Sequence, residues 1–81
     1  MGLTKTGLDA LLASAVLSSG VERQDWLTKV RQYLNTTPPD QLKREVSLIT
    51  SIPELVFLQA AGVPAFLQPT FLFTYQQRAT R

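Results

Sequence analysis

The side chains that most often carry enzyme chemistry are missing from this sequence. It has no histidine and no cysteine, which removes the usual general base, the thiol nucleophile and most transition-metal ligands. Six carboxylates remain: Asp9, Glu22, Asp25, Asp40, Glu45 and Glu54. Four of these close a hydroxyl-x-x-acid tetrapeptide, namely Thr6 to Asp9, Ser19 to Glu22, Thr37 to Asp40 and Ser51 to Glu54. That spacing is the capping box, in which the hydroxyl accepts from a free first-turn N–H and the acid reaches back toward the cap. Asp25 stands four residues before Lys29, the favourable orientation for a helix-surface ion pair. Glu45 alone has no assigned role. Acids at separate helix ends form no pair for acid–base work or for Mg²⁺. No Gly-rich phosphate loop and no Gly-x-Ser-x-Gly turn is present. The expectation is a non-enzymatic protein without metal or cofactor.

Four start signals at helix-length spacing predict an all-α chain, a small bundle of four capped helices plus a short C-terminal fifth. The 81 residues make one domain over 1–81, with 1–5 frayed and 79–81 as a tail. The first helix is expected from about Gly7 to Ser18. It is apolar on nearly every side through Leu8, Leu11, Leu12, Ala15 and Leu17, so it belongs at the centre. The second, about Gly20 to Asn35, gathers Trp26, Leu27, Val30, Tyr33 and Leu34 in an arc of roughly 120°. Asn35 to Pro39 is a loop, because Pro-Pro cannot continue a helix, and Pro38 is expected at the first position of the third helix. That helix runs to about Thr50 with Leu42, Val46 and Ile49 inward, Leu48 widening the face, and Lys43 and Arg44 outward. The fourth spans about Ile52 to Ala61 and stops at Gly62, a left-handed C-cap followed by Pro64, with Val63 folding back on Leu58. Phe71, Phe73 and Tyr75 alternate as in a strand, but no second strand exists to pair with them, so about Thr70 to Arg78 is read as helix.

From Leu55 to Gln77 no side chain is charged. Its length would suffice for a membrane span, yet Gly62, Pro64 and Pro69 divide it and its glutamines and threonines are unsuited to lipid, so buried helices explain it better. At the other end, Lys5 and the apolar run near Leu11 loosely imitate a signal peptide that Asp9 interrupts. Met1 to Thr6 matches the spacing for acylation of Gly2, a motif short enough to recur by chance. A cytoplasmic protein with an ordinary helical start is expected.

Apolar surface exceeds what one short chain can bury, and this points to a partner. The expected function is a protein-interaction or regulatory module, self-associating as a homodimer through Phe66, Leu67, Phe71, Phe73 and Tyr75. The rival is a helix-turn-helix-like nucleic-acid binder. Its short turn at Ser18-Ser19-Gly20 leads into a recognition helix over 20–35 that offers Arg23, Gln24, Lys29 and Arg31. Against it, Glu22 and Asp25 sit in the turns that would meet DNA, and the net charge is only +2.

Overall fold

A computed structural model describes residues 7–80. Thr6 of the first start signal, Lys5, the Gly2 acylation motif, the segment 1–5 expected to fray and Arg81 lie outside the described residues. Within them the chain forms five α-helices: α1 Gly7–Val16, α2 Gly20–Thr36, α3 Pro39–Ser47, α4 Ile52–Ala61 and α5 Gln68–Ala79. A 3₁₀ turn, Ala65–Leu67, leads into α5. No strand occurs among the described residues, and the alternating aromatics lie on α5 as expected.

Helix α1 is the hub, packing against α2, α3 and α4, while α5 closes the far side against α3 and α4. Leu8, Leu12 and Ala15 of α1 are fully buried, as are Val30, Leu42, Val46, Leu55 and Leu58 from the surrounding helices. Phe57 is the largest wholly enclosed side chain. Burying such a side chain stabilises by roughly 1.5–3 kcal/mol, so these residues carry the fold.

Helix ends differ from the sequence expectation in three ways. The start signals place α2 and α4 correctly, since Ser19 and Ser51 are their N-caps with extended backbone, but neither hydroxyl makes a capping hydrogen bond. Thr37 closes α2 instead, its N–H donating to Tyr33 O, and Pro38 is the N-cap of α3. A residue before proline is biased away from helix, so Thr37 and Pro38 both stay extended and α3 begins one position late. The second difference is length. α1 stops at Val16 and α3 at Ser47, which leaves Leu17 87% and Leu48 69% exposed rather than in the core. Gly62 does end α4, but at φ 101°, ψ 103°, outside the left-handed helical well. Val63 packs back on the core.

Arginines serve as distant C-caps. Arg31 Nε donates to Ala61 O at 2.9 Å, at the end of α4. Arg78 Nε donates to Ile49 O at 2.8 Å and Nη2 to Ser47 O at 3.2 Å, closing α3 from the end of α5. Positive charge is favourable at a helix C-terminus, and the planar fork can reach two carbonyls together. Arg78→Ala is therefore expected to lower stability by about 1–3 kcal/mol, measured by urea unfolding. Arg78→Lys should recover little of it, because an ammonium lacks the fork.

Candidate functional site

Three helices meet in a cluster of titratable groups centred on Glu45, the acid without an assigned role. Its Oε1 accepts the Leu8 N–H at 2.7 Å, so an acid of α3 caps the start of α1. The Tyr33 hydroxyl of α2 lies 2.8 Å from Oε2 and 3.0 Å from Oε1, donating to the carboxylate. Gln41 Nε2 donates to Oε2 at 2.8 Å. Partial burial by itself raises the Glu45 pKa, but the hydrogen bonds from Leu8, Gln41 and Tyr33, with the charge of Arg44, outweigh it and hold the carboxyl below its ordinary 4.5. Burial, and then the hydrogen bond to Glu45 and its charge, push Tyr33 above its ordinary 10.0. A depressed acid saturated by donors and a phenol held protonated are both poor bases near neutrality. The cluster is a structural joint.

Gly7 makes the joint possible. At φ +63°, a Cβ there would stand 2.5 Å from Glu45 Oε1 and 2.6 Å from the Tyr33 oxygen. Gly20 has nearly the same φ, +60°, with nothing within 4 Å of such a Cβ. Gly20→Ala should cost about 1–2 kcal/mol, the left-handed penalty alone. Gly7→Ala should cost clearly more in the same denaturation assay, because it also separates Glu45 from α1.

Acid and alkali should both act on this joint. A lowered carboxyl contributes stability that is present above 4.5 and lost as the pH falls through the folded value. A raised phenol contributes stability that is present below 10.0 and lost as the pH rises through its folded value. Glu45→Gln is expected to lower stability at neutral pH by about 1–3 kcal/mol. It should also flatten the acid limb, read from thermal unfolding followed across pH.

The residues expected to form an interaction surface separate. Leu67 and Phe71 are core residues, 0% and 3% exposed. Tyr75 is half-buried with its ring 6.0 Å from that of Phe71. Phe66 and Phe73 are exposed. At 100° per residue, the buried face of α5 passes through Phe71, Thr74 and Arg78, leaving Leu72 and Phe73 on opposite flanks. The flank toward α4 forms a groove of about 340 Å³ lined by Val56, Gln59, Phe71, Leu72 and Tyr75. Past Val56 a second recess of about 340 Å³ continues between Val16, Arg23, Ile52, Pro53 and Phe57. Val56 and Leu72 escaped the sequence reading because α4 is apolar on several sides. A signal was available, however, since Gln59 and Gln76 follow them at helical spacing and mark those faces as solvated.

The residues of the nucleic-acid reading are engaged or apart. Arg23 stacks over Phe57 at 4.7 Å from its centroid. Lys29, expected to pair with Asp25, places Nζ 4.4 Å from the Trp26 centroid. Arg31 caps α4, and Gln24 is exposed with its carbonyl accepting from Thr28. By helical phase Lys29 lies well away from Arg23, Gln24 and Arg31.

No protein-family model, curated protein or solved structure matches this chain. The described residues contain no group of three or more acids that could hold a metal ion. None of their helices is long and apolar enough to cross a membrane.

Proposed function

We propose that the domain is a non-enzymatic, self-associating interaction module whose contact surface is the outer face of α4 with the adjoining flank of α5. The observation that supports this reading is the pair of apolar recesses meeting at Val56, with Val56 48% and Leu72 57% exposed. Among the described residues, Arg23 at one edge is the only charged one lining either recess, and its guanidinium is stacked on Phe57. Two copies can meet about a two-fold axis there without burying like charges, the commonest way a soluble chain closes. The surface expected from the sequence shifts accordingly, from the aromatic stretch 66–75 as a whole to Tyr75 with Val56 and Leu72. Such a module would act through assembly. Its lack of cysteine fits a reducing compartment such as the cytoplasm. The nucleic-acid alternative has weaker support, because Arg23, Lys29 and Arg31 already have partners within the fold.

Sedimentation equilibrium provides the test. The protein is expected to form dimers at micromolar concentration, and Val56→Glu with Leu72→Glu should yield monomers of unchanged helicity, since both side chains are exposed. A wild-type protein that stays monomeric throughout that range refutes the proposal.

A further inference from the structure

We propose that the other flank of α5, where it meets the end of α3, docks an acidic amphipathic segment of a protein partner. Phe73 on α5 is 63% exposed and Leu48, directly after α3, is 69% exposed, offering an aromatic and an aliphatic contact. A recess of about 250 Å³ lies beside them, lined by Ser47, Phe73, Thr74, Gln77 and Arg78. Its rim is basic. Lys43 and Arg44 are exposed on α3, one turn before Ser47 and Leu48, and so share their side of the helix. Arg78 forms the recess wall, and its bonds to two neutral carbonyls leave its charge in place and N–H groups to spare. α5 contains no acid. α3 contributes Asp40 in its first turn and Glu45, whose oxygens are taken by Leu8, Tyr33 and Gln41.

Charge sign and shape select the occupant. A second copy would set Lys43 and Arg44 against their own like charges. A flat anionic bilayer makes no use of a recess of side-chain size. An acidic helix or strand with one apolar anchor satisfies both, its carboxylates meeting the rim while the anchor fills the recess. This surface lies on the opposite flank of α5 from the self-association groove, so the two can be occupied together.

The probe is a short fluorescein-labelled peptide with Leu and Phe one helical turn apart among glutamates, titrated by anisotropy against the full chain. Saturable binding that weakens with added salt is expected. Lys43→Glu with Arg44→Glu should weaken it about tenfold or more. Phe73→Ala, which leaves the charge unchanged, should weaken it comparably, and a peptide with glutamine for glutamate should bind far less. All three substituted side chains are exposed, so circular dichroism should not change. Failure of the acidic peptide to bind, or equal binding of the glutamine peptide, overturns the proposal. So does binding of phosphatidylserine vesicles or duplex DNA in place of the peptide. The dimer, which depends on Val56 and Leu72, is scored separately in the same variants.

Discussion

One N–H in the first turn of α1 finds its acceptor far along the chain, and this bond ties the start of the helix to α3. The carboxylate that receives the Leu8 N–H belongs to Glu45, 37 residues further on. The same two oxygens take the Tyr33 hydroxyl and the Gln41 amide, so one anion joins the start of α1, the last turn of α2 and the middle of α3. Apolar packing drives these helices together without choosing among rotations and slides of a few ångströms. An anion with directional donors on three elements does choose. Because α1 is also the helix against which α2, α3 and α4 all pack, its placement sets theirs.

Much of this architecture is legible in the sequence. The start signals located α2, α4 and, within one residue, α3, and the periodicity of Trp26 to Leu34 named the inward face of α2. Local pattern failed wherever the deciding contact was distant in sequence. Ser19 and Ser51 stand at the expected caps without the expected side-chain bonds, and Glu45, to which the local pattern gives no role, accepts the Leu8 N–H at the start of α1. Leu17 and Leu48 were counted as core because hydrophobicity marks a candidate for burial, while the turn geometry that ends α1 and α3 determines whether burial occurs. In α4, apolar residues on several sides left the helical phase undetermined, so Val56 was not separated from Phe57.

The basic residues illustrate a related limit. Sequence offers Arg23, Lys29 and Arg31 as charges for a nucleic acid, with Asp25 as a partner for Lys29, and gives Arg78 no role. In the folded chain two of them lie over aromatic rings and two close helices by binding carbonyl oxygens. Cationic side chains with neutral partners remain cations, so the exterior stays weakly positive while the individual groups lose their freedom to move. An electrostatic surface of this kind is preorganised, and preorganisation lowers the entropy lost on binding.

The long-range caps also bear on how the chain acquires its structure. During synthesis from the N-terminus, the Leu8 N–H lacks its Glu45 acceptor until that residue has been made, and the end of α3 lacks its donor until Arg78 has been made. Each early helix is thus incompletely terminated until a much later segment arrives, and short helices without tertiary support are marginal in water. Such wiring favours a single concerted transition over stepwise growth of a stable N-terminal part. The nascent chain remains pliable until Arg78 has emerged, and the order of events is set less by which helix appears first than by when α5 docks on α3.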